Sequence, residues 1–154
     1  ARRQGRRQYC RGGAGGIGHM FDKKIAIVVR DDLAVWQKLN VTAFLTSGVL
    51  GARAELLGED YQDAGGNIYN PLLIQPIMVL TTDSPGLGKI HARAQNRGVK
   101  LSIYIEEMFA TGHDAANRAA VLRHDPQDLN IVGLALREEK KIVDKIIKGA
   151  KMHG

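Results

Sequence analysis

Lys23-Lys24-Ile25-Ala26-Ile27-Val28-Val29-Arg30-Asp31-Asp32-Leu33 decides the fold of this chain. Five consecutive apolar residues, Ile25 to Val29, stand between two lysines and a three-charge cluster. A short, branched, non-alternating run of this kind predicts a strand buried on both faces. The charges mark its exit from the core. In open α/β sheets that carboxyl end is where ligands usually bind.

Outward from this strand, Asp31 to Leu39 reads as a loop. Asn40 is a good N-cap for a helix running from Val41 to about Leu57. Val41, Phe44, Leu45, Val49 and Ala52 form its inward stripe, and Gly58 supplies its stop. Gly58 to Pro71 is turn-rich and reads as a small hairpin or an ordered loop pinned by Tyr61 and Tyr69. Ile77-Met78-Val79-Leu80 is a second buried strand. Ser84 and Pro85 open a helix that Gly98 closes, with Leu87, Ile90, Ala94 and His91 on its inner side. In the third strand, Val99 to Ile105, Leu101, Ile103 and Ile105 face one way and Ser102, Tyr104 and Glu106 the other. Thr111 and Asp114 are candidate caps for a short helix ending near Arg123, and Pro126 breaks it. Asn130 to Leu136, interrupted by Gly133, is the fourth strand. The last helix runs from about Arg137 to Lys151, with Ile142, Val143, Ile146 and Ile147 inward. This alternation predicts an α/β fold, a small mixed four-stranded sheet sandwiched by helices.

Bulk properties narrow the function classes. The 154 residues suit one domain, residues 20–154, with a formal charge of +6. Five of those charges are Arg2, Arg3, Arg6, Arg7 and Arg11, in a leader (residues 1–19) that holds no acid, so residues 20–154 carry only +1. Bulk charge is therefore no argument for nucleic acid in the body. The leader, with six glycines and no period, reads as a disordered or cloning-derived basic tail, with Gly18-His19-Met20 as the junction to a body starting at Met20, or alternatively as a nucleic-acid-binding arm. The one cysteine, Cys10, lies there too, so the body has no disulfide, which fits a reducing, cytoplasmic compartment. No run is long and apolar enough to cross a bilayer.

Several groups are candidates for chemistry. Arg30 stands at the end of the first strand, just before a helix start, where anions are favoured. It is placed to hold a phosphate or carboxylate, or to pair with Asp31 or Asp32 and fix the loop. Lys38 and Asn40 lie where that loop meets the helix, and Lys38 is either an anion contact or a solvated surface lysine. Trp36 is a recognition aromatic or a lid. Glu106-Glu107 at the exit of the third strand is a carboxylate pair, of use as a general base or merely solvated. His91, His113 and His124 lack metal-ligand spacing, so no zinc site or cofactor is expected. His113 is a candidate ligand contact and His91 a structural residue. The chain has no Gly-Lys-Ser/Thr phosphate loop, no Gly-x-Ser-x-Gly elbow and no dinucleotide fingerprint.

Lys24 to Leu33, Gln75 to Leu80, Gly98 to Glu106, Asn130 to Leu134 and the closing Ile142 to Ile147 together resemble the type 2 peptidyl-tRNA hydrolases in order and spacing. The resemblance spans most of residues 22–148. It implies that family's fold, a homodimer and a site drawn from Lys38, Glu106 and Thr111. The family's Gly-Lys-Gly-Lys segment is replaced by Val35-Trp36-Gln37-Lys38, with Lys38 one place out of register. The glutamine and histidine of its following helix are absent, and its aspartate aligns with Glu106. The chain thus resembles an uncharacterised branch of that superfamily. Two functions follow. One is a module binding a small anionic ligand or a protein partner through Arg30, Asp32, Trp36, Asn40 and His113. The other is a divergent hydrolase of peptidyl-tRNA or a related ester. In it Lys38 stabilises developing negative charge, Glu106 acts as a base or orients water, and Thr111 or His113 assists. The first is preferred. A tRNA partner is disfavoured because backbone binding needs clustered cations.

Overall fold

The computed structural model describes residues 22–153, so the basic leader lies outside the described residues. A five-stranded mixed sheet runs in the order β5-β6-β1-β4-β7. These strands are β1 (Lys23–Arg30), β4 (Ile77–Thr82), β5 (Ser102–Ile105), β6 (Ile131–Glu139) and β7 (Lys151–Met152). β1 pairs in parallel with β4 and antiparallel with β6. The chain thus builds its sheet outward from its first strand, and Ile25 to Val29 are completely or almost completely buried. Ile25, Ile27 and Val29 enter one core layer and Ala26 and Val28 the other, so the unbroken apolar run serves both faces of a central strand.

Helix α1 (Val35–Ala52) covers the first face through Val41, Leu45 and Val49. The second face carries α2 (Ser84–Asn96), α3 (Asp114–Leu122) and α4 (Lys140–Ile146). The alternation expected of β5 holds, with Tyr104 in the first layer and Leu101, Ile103 and Ile105 in the second. Asp83 caps α2 by accepting from the Gly86 amide at 2.8 Å, with Pro85 in the first turn.

The structure corrects the expected boundaries in four places. α1 begins at Val35, not Val41, because the Gln37 side chain reaches back to accept from the Ala34 amide at 3.0 Å. Asn40 is therefore inside the helix rather than its cap, and the end falls at Arg53 rather than Gly58. His113, not Thr111 or Asp114, caps α3, its Nδ1 accepting from the Ala116 amide at 3.2 Å. β6 does not stop at Leu136; it pairs with β1 as far as Glu139, opposite Lys23.

The last helix is correspondingly short. Arg93 on α2 donates to the Ile146 and Lys148 carbonyls at 3.2 and 2.8 Å, satisfying its open end. The chain then turns back as β7 onto β4, making the sheet five-stranded rather than four-stranded. Tyr61 and Tyr69 face each other across a separate two-stranded ribbon, β2 (Tyr61–Gln62) and β3 (Ile68–Tyr69). No helix of the described residues is long and apolar enough to cross a membrane.

Candidate functional site

At the carboxyl end of β1 the sequence-selected residues divide into groups. Arg30, its side chain only 13% exposed, donates to Asp32 at 2.5 Å and to Glu106 at 3.2 Å. Asn130 lies within 3.4 Å of the same guanidinium and donates to Glu106 at 2.5 Å. The Glu106 amide in turn donates to the Asn130 carbonyl at 2.9 Å. Burial works against the Arg30 charge, but the hydrogen bonds and charges of Asp32 and Glu106 outweigh it and raise its pKa. Arg30, Asp32, Glu106 and Asn130 are thus a closed network that ties β1 to the start of β6 and the turn after β5.

The remaining selected residues are spread around that network. Lys38 and Asn40, both half-buried, lie within α1, and no side-chain hydrogen bond or ion pair joins Lys38 to another described residue. The Thr111 hydroxyl is held by the Met108 carbonyl at 3.0 Å and by the Asn117 amide oxygen, which fixes the corner before α3. His113 caps that helix. Glu107 pairs with His124 at 3.2 Å rather than with Glu106. Trp36 packs edge-on to Phe109, and Phe109 packs on Tyr104, with centroids 5.8 and 5.2 Å apart. Trp36 therefore ends an aromatic row that continues through Tyr104 to Phe44 at 5.9 Å. Phe44, expected in the inward stripe of α1, is 57% exposed and belongs to this row.

Two depressions flank β5, which forms one edge of the sheet. The first, about 620 Å³, lies between α1 and α3 and is walled by Phe44, Ile103, Tyr104, Met108, Val121 and Leu122. Its lining is mostly apolar, and Leu122 is 87% exposed. The second, about 610 Å³, lies at the end of α1 beside Lys23, Arg53, Lys100, Arg137 and Glu138. Both are lined by Gly48 and Ser102. A Cβ at Gly48 would stand 2.4 Å from the Ser102 Oγ, so only glycine lets α1 approach β5 this closely. Neither depression was marked by a sequence motif. Their walls come from residues brought together by the sheet order, with no local spacing to reveal them.

Comparison with known proteins returns no function. No curated protein matches the chain. A solved structure of a protein of unknown function from Agrobacterium tumefaciens is similar, at 60% identity and a TM-score of 0.86. The match covers 88% of this chain and 100% of that one. Residues 23–154 match the family described as "Protein of unknown function (DUF2000)". The order β1-α1-β4-α2-β5-α3-β6-α4 is accordingly that of a mixed α/β protein of this family, to which the chain belongs.

Proposed function

We propose that residues 20–154 form one small-ligand-binding module, built on a type 2 peptidyl-tRNA hydrolase-like scaffold whose hydrolytic set has been lost. The observation that carries this reading is the apolar groove between α1 and α3, lined by Phe44, Ile103, Tyr104, Met108, Val121 and Leu122. A concave, mostly apolar site with a few polar groups is the usual form of a small-molecule pocket. The alternative, ester hydrolysis, needs an available carboxylate near a cation that can meet developing charge. The Glu106 oxygen already accepts from Arg30 and Asn130, and Thr111 and His113 serve the start of α3. The same commitments argue against Arg30 as an anion ligand.

Two measurements test the reading. Single-turnover hydrolysis of peptidyl-tRNA is expected to be absent, and equally absent in a Lys38→Ala/Glu106→Ala double variant. Turnover by the wild type that the double variant loses would replace the binding module with a divergent hydrolase. Calorimetric titration with dodecanol is expected to show saturable binding that Leu122→Arg abolishes. Leu122 is largely exposed, so that change fills the groove mouth without opening the core.

A homodimer is also part of this proposal. Tyr61, Ile68 and Tyr69 on the β2–β3 ribbon, with Leu72 beside it, are all more than half exposed. A lone two-stranded ribbon is marginal in water and gains from a covering surface. Sedimentation equilibrium should give a dimer mass, and Ile68→Lys/Leu72→Lys should return it to a monomer; a monomeric wild type overturns this part.

A further inference from the structure

The second depression differs from the first in chemistry. It gathers Lys23, Arg53, Lys100 and Arg137 against one carboxylate, Glu138. Arg53 is half-committed, lying 3.6 Å from Glu55. Among the described residues, no ion pair joins Lys23, Lys100 or Arg137 to a carboxylate. Arg137 is nevertheless held in place. Its Nε donates to the Gln75 side-chain oxygen at 2.9 Å, and the Gln75 amide nitrogen donates to the Lys23 carbonyl at 3.1 Å. Gln75 is itself buried and spends both ends of its amide on this arrangement. An arginine fixed through Nε by a neutral partner keeps its full charge and leaves its terminal nitrogens for another acceptor. A guanidinium presented in this way suits a carboxylate or phosphate.

The two depressions meet at Gly48 and Ser102. Cationic groups therefore stand on one side of this shared wall, where α1 packs on β5, and an apolar lining on the other. We infer that the ligand of this module is an anionic amphiphile, its acidic head held by Arg137, Lys100 and Lys23 and its apolar tail laid in the groove beneath Phe44, Tyr104 and Leu122. Gln75 is a positioning residue for the head site. Gly48 lets α1 and β5 close on each other where the two depressions adjoin, since a larger residue there would push against Ser102. This inference rests on the binding-module reading, because the tail occupies the groove proposed above.

The test is calorimetry on the full chain with three probes: dodecanoate below its micellar concentration, dodecanol, and inorganic phosphate. Dodecanoate is expected to bind about ten-fold more tightly than dodecanol, the effect of one charge-assisted hydrogen-bonded pair. Arg137→Gln is expected to erase most of that preference by weakening dodecanoate far more than dodecanol. Lys100→Gln, at an exposed position where folding is not at stake, should reduce it in the same direction. Equal affinity for acid and alcohol in the wild type, or a preference untouched by both variants, overturns the head site and leaves the groove reading standing. Phosphate binding as tightly as dodecanoate, lost in Arg137→Gln and indifferent to Leu122→Arg, would make this a free-anion site and overturn the amphiphile. Binding of neither dodecanoate nor dodecanol overturns the groove reading and this inference together.

Discussion

Arg30 and Glu106 lie 76 residues apart in the chain, yet their side chains form an ion pair at 3.2 Å at the end of the central strand. The pair joins the exit of β1 to the turn after β5, although β6 separates the two strands in the sheet. Replacing Glu106 with Gln should leave Arg30 to Asp32 and Asn130. The expected loss is about 1 kcal/mol, near the lower end for a bond to a charged group, because Glu106 is half-exposed and screened. Urea denaturation of the variant at low and high salt checks this. A stability equal to wild type at low salt would show that Asp32 alone holds the arginine.

Gly133 sits on β6 directly beneath α1. A Cβ there would lie 2.6 Å from Val41 Cγ1 and 3.0 Å from Leu45 Cδ1. Gly133→Ala should therefore overpack the core and cost about 1–3 kcal/mol. Val41→Ala in the same chain should recover part of that loss, because it removes the methyl that the new Cβ meets. Denaturant midpoints of the two single variants and the double variant measure the coupling. Strict additivity would mean that the strain is relieved elsewhere.

His91 is buried on the inner face of α2, and burial lowers its pKa below the ordinary 6.5. The unfolded chain therefore takes up this proton at a higher pH than the folded one. Its contribution to stability should be level above about pH 6.5 and decline as the pH falls through that value. His91→Leu should remove this component of the slope while keeping the side chain apolar. Thermal midpoints measured between pH 7.5 and about 5 for both chains give the comparison, and identical slopes would exclude His91 as a source.

Asp63 organises the turn of the β2–β3 ribbon. It accepts from the Asn67 side chain at 2.9 Å, from the Tyr69 hydroxyl at 2.8 Å and from the Asn67 and Gly65 amides at 3.0 and 2.9 Å. These bonds, that of Asn67 foremost, lower its pKa from 3.8 to about 2. The ribbon's turn should therefore be fully held above about pH 4 and loosen as the pH falls through about 2, where the carboxylate is protonated. Carboxyl chemical shifts titrated by NMR report the midpoint directly. Asp63→Asn should speed hydrogen exchange at Gly65 and Asn67 at neutral pH while leaving the main sheet unchanged.

Much of the architecture is present in the linear chain. Ile25 to Val29 carry enough branched apolar surface to specify a strand buried on both faces, and Leu87, Ile90, His91 and Ala94 define the inner side of α2 without outside help. Local physics is sufficient there because burial follows the period of the backbone. The start of α1 is local as well, since Gln37 reaches back only three residues to the Ala34 amide. The tertiary structure decided what depends on long-range contacts. It alone brought Glu106 and Asn130 to Arg30. It alone turned the final residues into an edge strand, because β4 offered an unpaired side and Arg93 satisfied the carbonyls that a longer helix would have used. The depressions beside β5 belong to the same class: Gln75, Gly48, Ser102 and Arg137 come from four separate segments. Only the sheet order, which follows from long-range burial rather than from sequence spacing, brings them to one place.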